Sequence, residues 1–228
     1  IMSSDWSSDV CSSDLFNESG MDGELNEVSG QRWIQGPNNQ SEIVAWFTEA
    51  ASLGTGGPSY EMPLQSLALA ISKDAPGEPN EGFLRGASAL TIVVIITDED
   101  DCSRTDNDFT VQHDTCTEDE MAVDELVPLQ EYKTYLDENL GGPEKYVVVT
   151  IAGQQSCDGS SYPTTCDEDD SYAGAKNAVR LKEFMNDYIG TAEDDNGLFA
   201  DICTSTMSEA LDEALNKMTV ACDEFPIE

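Results

Sequence analysis

The chain has 228 residues, enough for one sizeable α/β domain or two small ones. Hydrophobic residues make up 39% and charged residues 25%, a globular balance, yet ten Lys and Arg face 46 Asp and Glu for a formal net charge of −36. A surface of that sign repels nucleic acid and anionic lipid, which excludes both as partners; it attracts divalent cations or a basic protein, although a solvated acidic surface is the simpler reading of most of the charge.

Residues 1–15, IMSSDWSSDVCSSDL, are nearly all Ser and Asp in a near-repeat with no helical or strand period. The stretch resembles the translation of a sequencing adapter joined to a gene fragment; a natural Ser/Asp linker is the other reading. It is expected to be disordered and to pack against nothing, with residues 16–30 a loop remnant and the domain occupying 31–228. The longest apolar run, 90–96, is strand-sized and far short of the roughly 20 residues of a membrane span. No signal peptide is visible, which an N-terminal truncation would explain.

After the polar, Gly-rich start, Arg32, Trp33 and Ile34 read as a short strand. Asn39 with Glu42 is a helix-start signature, and Ile43, Trp46, Phe47 and Ala50 then share one helical face expected to point inward. GTGGP at 54–58 breaks that helix, and Leu64, Leu67, Ala68 and Ile71 define a second. LTIVVIIT at 90–97 is β-branched and apolar on both faces, as in a central strand of a covered parallel sheet, and ends in Asp98, Glu99, Asp100 and Asp101. A helix carrying Leu129, Tyr132 and Leu136 closes at Gly141-Gly142-Pro143, and YVVVTIA at 146–152 is a second buried strand. A helix over about 173–189 follows, with Leu181, Phe184, Met185 and Tyr188 inward. A strand at 198–203 comes next, then a helix capped by Thr206 and Glu209 with Met207, Ala210, Leu211, Ala214 and Met218 on one face. Alternating strands and helices, with no linker and no repeat, predict one α/β domain: a doubly wound, mostly parallel sheet with helices on both faces.

Leaving aside Cys11, six cysteines remain: Cys102, Cys116, Cys157, Cys166, Cys203 and Cys222. An even number without tight CxxC pairs points to disulfides and an oxidising, extracytoplasmic address rather than a zinc site. Cys102 with Cys116 and Cys157 with Cys166 would each bracket one polar loop. Cys203 and Cys222 flank a helix too long for the few residues after it to span back, so they are not expected to pair.

Ligands in open α/β sheets bind beyond the carboxyl ends of the strands, so the acids at 98–101 are the leading site. Four adjacent carboxylates repel one another unless solvent or a hard divalent cation screens them. His113, the single histidine, reads as a solvent-exposed loop residue. GTGG lacks the Lys of a phosphate-binding loop, Asp194-Asp195-Asn196-Gly197 lacks calcium-loop spacing, and no GxSxG elbow occurs.

Phe83-Leu84-Arg85 followed by LTIVVIITDEDDCS at 90–103 resembles the fourth strand of bacterial secreted von Willebrand factor type A-like proteins, many of them lipoproteins. Leu53-Gly54-Thr55-Gly56-Gly57 with Glu61 and Pro63-Leu64 resembles the same group's second metal loop. Residues 145–153 resemble its fifth strand, and Asp201-Ile202-Cys203 its last strand and helix. The resemblance runs in order from about Arg32 to Cys222 and implies a Rossmann-like fold whose first strand, with its Asp-x-Ser-x-Ser metal loop, is missing; the faint echo at Asn17–Met21 is read as coincidence, or else as a corrupted remnant of that loop at the adapter junction. It further implies a divalent-metal adhesion site of Mg2+, Mn2+ or Ca2+ at the sheet top, with Asp98 as a ligand and Ser59 or Glu61 in the place of the family's Thr.

The function so implied is an extracytoplasmic binding or adhesion module that engages a protein ligand through an incomplete metal site and is not an enzyme, with a lipid anchor in the missing N-terminus. The alternative is a magnesium-dependent phosphotransfer hydrolase using Asp98 and Asp100 as nucleophile and acid/base, although the downstream Lys such enzymes need does not sit in a suitable place.

Overall fold

The computed structural model describes residues 23–34, 39–50, 61–105, 126–153, 175, 177–191, 195–202 and 207–225. The regular elements run α1 (Gln40–Ala50), α2 (Pro63–Ser72), β1 (Thr91–Ile96), α3 (Leu129–Leu140), β2 (Tyr146–Ala152), α4 (Val179–Glu183), β3 (Gly197–Asp201) and α5 (Met207–Glu224). A π-helical segment, Phe184–Ile189, continues α4 without a break. The three strands form one parallel sheet in the order β1-β2-β3, with Val93 opposite Val148 and Val149 opposite Leu198. The α/β class and the strand–helix alternation expected from the sequence are therefore present.

The sheet is parallel because each strand is joined to the next through a helix, and its strands carry apolar side chains on both faces because both are covered. Alternate residues of β2 sort into two core clusters. Tyr146, Val148 and Ala152 join Val93 and Ile95 of β1 against Leu64 and Leu67 of α2, Leu136 of α3, and Leu181 and Phe184 of the α4 segment. Val147, Val149 and Ile151 pack instead with Ala200 of β3 and Ala214 of α5. This is the period-two alternation of a strand with an apolar layer on each side. Every residue of β2 is buried, as expected of the middle strand. Helix α3 ends at Gly141, whose φ of 95° is the left-handed conformation that stops a helix.

Four expectations need correction. Residues 32–34 form no strand; they leave a tight turn in which Val28 and Gln31 exchange backbone hydrogen bonds of 2.8 and 3.0 Å. Helix α1 starts as predicted, with Glu42 N–H donating to Asn39 Oδ1 at 2.9 Å, but no residue of it is buried. Ile43 is 42% exposed and Phe47 38%, because none of the described helices lies over this face. The helix expected from about residue 173 has Val179 as its first residue, for a reason that lies in Asp100 and is described below. Leu211 points outward from α5, 42% exposed, whereas Ala214 is buried: among the described side chains α5 meets the sheet through Ala214, Met218 and Ala221.

The segment before α1 is irregular but anchored. Asn80, fully buried, donates through Nδ2 to the carbonyls of Gly23 (2.8 Å) and Ala70 (3.1 Å) and accepts from Leu25 N–H (3.0 Å) at Oδ1. One side chain thus ties this loop to the C-terminal part of α2. Replacing it leaves two buried backbone carbonyls and one part-buried N–H without this partner, each costing on the order of 1–3 kcal/mol and not additive. Asn80→Ala is expected to lower unfolding stability by about 2–4 kcal/mol in urea titration, with little change in the slope.

Candidate functional site

Strand β1 delivers its acidic run at the carboxyl end of the sheet. Thr97 N–H completes the ladder to Ile151 O at 3.1 Å, and Thr97 Oγ1 accepts from Glu99 N–H at 3.1 Å, which folds the chain back immediately after the strand. Asp98 and Glu99 are half-buried, but the chain then turns inward: Asp100 is buried and Asp101 is 0% exposed. The sequence reading had solvent or a cation screening all four acids. For the last two the screening comes from the protein itself.

Asp100 accepts three backbone N–H groups: Arg180 at 2.8 Å on Oδ2, and Leu181 at 3.0 Å and Asp101 at 2.8 Å on Oδ1. Arg180 and Leu181 are the first-turn amides of α4, so this carboxylate caps the helix from across the fold. The local residue Ala178 supplies no side-chain cap, which is why α4 begins where Asp100 meets it. Asp101 does the same for α2: its Oδ1 accepts Leu64 N–H at 3.0 Å and Ser103 Oγ–H at 2.7 Å. Ser103 Oγ in turn accepts Gln65 N–H at 3.1 Å. Helix α2 has no side-chain cap of its own from Met62 either. Two helix N-termini, each with a partial positive charge, therefore converge on two adjacent carboxylates.

Arg180 closes the arrangement. Its Nε lies 2.9 Å from Asp101 Oδ2 in an ion pair whose side chains are 12% and 0% exposed, and its Nη2 donates to Val127 O just ahead of α3. Val127 N–H also donates to Ser103 O at 3.0 Å. Tyr132 Oη on α3 donates to Gln65 Oε1 at 2.9 Å, and burial, reinforced by the charge of Asp101, raises the phenol above its ordinary range and keeps it protonated. The loop after β1 thus fastens the starts of α2, α3 and α4 to one another.

The sequence-derived metal ligands can be placed only in part. Asp98 stands at the opening of the sheet top, and Glu61 is buried just ahead of α2, its carbonyl accepting Cys102 N–H at 2.7 Å. The structure therefore brings the Glu61 and Asp98 loops side by side. Ser59 lies outside the described residues, as do His113, Cys116, Cys157, Cys166 and Cys203. Among the described residues no group of three or more His, Cys, Asp or Glu side chains could hold a metal ion. Asp100 and Asp101 already spend their oxygens on amides, a hydroxyl and a guanidinium, and the described carboxylates do not make up the six oxygens that magnesium requires. Cys102 is disulfide-bonded; because Cys222 is free and exposed, the partner sulfur lies outside the described residues.

Sequence reasoning missed the Asp100–Asp101–Arg180 cluster. No local signal pointed to it: with the helix expected from about residue 173, Arg180 falls in its middle, and only the observed start at Val179 brings it to the first turn beside Asp100 and Asp101. No protein family, curated protein or solved structure matches this chain.

Two outcomes follow from the cluster. Asp101→Ala strips Arg180 of its buried counter-charge and Leu64 of its cap, and is expected to cost about 3–5 kcal/mol in chemical denaturation. Asp100 gives a pH dependence. Burial pushes its carboxyl from 3.8 up to about 6, outweighing the three amide bonds that pull it down, and the charge of Asp101 adds to the rise. Between those values the folded chain holds a proton that the unfolded chain has released, so stability falls as pH rises through the window, by about 3 kcal/mol in all at 1.36 kcal/mol per unit. Denaturation midpoints at pH 4.5 and 7.5 should therefore show less gain on acidification in Asp100→Asn than in the parent. An equal gain in both would remove Asp100 as the source.

Proposed function

We propose that this chain is an extracytoplasmic binding module of von Willebrand factor type A-like, doubly wound architecture, engaging a protein ligand at the carboxyl end of its sheet rather than catalysing a reaction. The observation that carries this reading is the meeting of the Glu61 and Asp98 loops at that end, through the Cys102 N–H to Glu61 O bond, beside a strand run of the expected kind. The covered parallel sheet supports the architecture, since such sheets bind ligands at their strand ends. The disulfide at Cys102 supports an oxidising compartment. No helix of the described residues is long and apolar enough to cross a membrane. The strongly acidic composition favours a basic or cation-bridged partner over an acidic one.

Asp98 and Glu61 are the side chains that would hold a Mg2+ or Mn2+ ion, and that ion would offer a partner carboxylate a place to bind. Two protein ligands give weak coordination. A phosphotransfer role for the Asp98/Asp100 pair has less support, because Asp100 is buried and its oxygens are taken by three amides.

Isothermal titration of the chain with Mg2+ or Mn2+ is expected to give dissociation constants on the order of millimolar, about −4 kcal/mol, weakened several-fold by Asp98→Ala. Micromolar binding that survives Asp98→Ala would place the ion elsewhere and overturn the assignment. Steady turnover of a generic aryl phosphate with magnesium, abolished in Asp98→Ala, would replace the binding reading with the enzymatic one.

A further inference from the structure

We propose that a second site, away from the sheet top, binds an organic cation of the alkylated ammonium class. It is a cavity of about 690 Å3 between α1 and the segment that leads into it, lined by Trp33, Trp46, Glu27, Glu42, Arg32 and Pro79 among others. It shares no lining residue with the acidic loop after β1, so it stands independently of the function proposed above.

The walls are fixed by local structure. Ser29 and Gly30, with φ of 52° and 83°, are the central residues of the turn between Val28 and Gln31, the left-handed pair of a type I′ hairpin turn. The turn sets the direction in which Glu27, Arg32 and Trp33 leave it. The Trp33 ring rests on Phe83, centroids 5.8 Å apart and planes tilted by 54°. Across the cavity, Glu42 and Trp46 are one helical turn apart on α1, whose start is held by Asn39.

The electrostatics select the ligand. Arg32 is already neutralised: Nη2 pairs with Glu24 at 2.8 Å and Nη1 donates to Leu25 O at 2.7 Å. Neither Glu27 nor Glu42 is ion-paired with any cation among the described residues. Two indole rings and two uncompensated carboxylates make a surface that attracts positive charge and also offers apolar contact. A hard metal ion gains little there, since it demands several oxygens and holds its water. An alkylated ammonium, weakly hydrated and clothed in methyl groups, gains from the rings and from the carboxylates together.

The probe is choline, titrated into the full chain at low ionic strength and followed by calorimetry and tryptophan fluorescence. Its neutral isostere 3,3-dimethylbutan-1-ol, with the same shape and no charge, is the control. Choline is expected to bind saturably, with the isostere at least about tenfold weaker. Glu42→Gln is expected to weaken choline by about threefold and Trp46→Leu by about tenfold, the range that one carboxylate or one cation–π contact supplies. A peptide carrying trimethyl-lysine separates the sources: tighter binding than choline assigns the group to a modified protein, equal binding to a free solute, and both uphold the site. Equal binding of choline and the isostere would show a merely apolar cavity. Absence of saturable binding by both choline and the peptide would overturn the proposal outright, and because the parent chain gives that result it does not depend on either variant folding.

Discussion

Two adjacent carboxylates after the first strand hold one side of this molecule together. Asp100 and Asp101 are buried because they point back under the sheet end and cap helices whose own sequences supply no cap. With Arg180 between them and the residues preceding α3, they set where α2, α3 and α4 begin. The largest apolar cluster, from Leu64 to Ile189, lies beneath those three starts. Its side chains can mesh with the sheet only if the helices sit at the right height, and the polar cluster sets that height. Burying charge this way is costly unless every lone pair is satisfied. Asp101 meets the condition with an amide, a hydroxyl and a guanidinium. Asp100 meets it with three amides yet still has a raised carboxyl pKa, so its charge is the more weakly compensated of the two.

The same arrangement reshapes the overall charge. Ten cationic residues are few against 46 acids; two of them, Arg104 and Lys133, are buried, and the Arg180 side chain is only 12% exposed. Lys133 sits against Asp137 at 2.7 Å, and Asp137 also accepts the hydroxyl of Tyr146 at the start of β2. Among the described residues these buried cations are matched by buried acids, Glu61, Asp100 and Asp101, so the net charge is carried almost entirely by the face shown to solvent. A surface of that sign attracts cations from solution.

Much of the fold was legible in the sequence because the strands and most helices announce themselves by periodicity. YVVVTIA was bounded to the residue, and the helices beginning at Pro63 and Leu129 were found from their apolar spacing and closing turns. Two of the errors share one cause. A one-sided apolar stripe shows that a helix has a sticky face, not that anything lies over it; Phe47 and Leu211 are the cost of that inference. The start of α4 was misplaced because its cap comes from a residue 80 positions earlier.

The sequence by itself determined the α/β class, the order of elements and the parallel sheet, since these follow from local apolar patterning and the need to cover both faces of each strand. It also marked the carboxyl end of β1 as the place where charge collects. Only the tertiary structure decided what each of those charges does. Four acids in a row look alike in one dimension, yet the turn at Thr97 leaves Asp98 at the opening of the sheet end and sends Asp100 and Asp101 inward to amides from distant helices. The physical reason is that the role of a carboxylate is set by which donors reach its oxygens, and donors brought together by folding carry no signature in the local sequence.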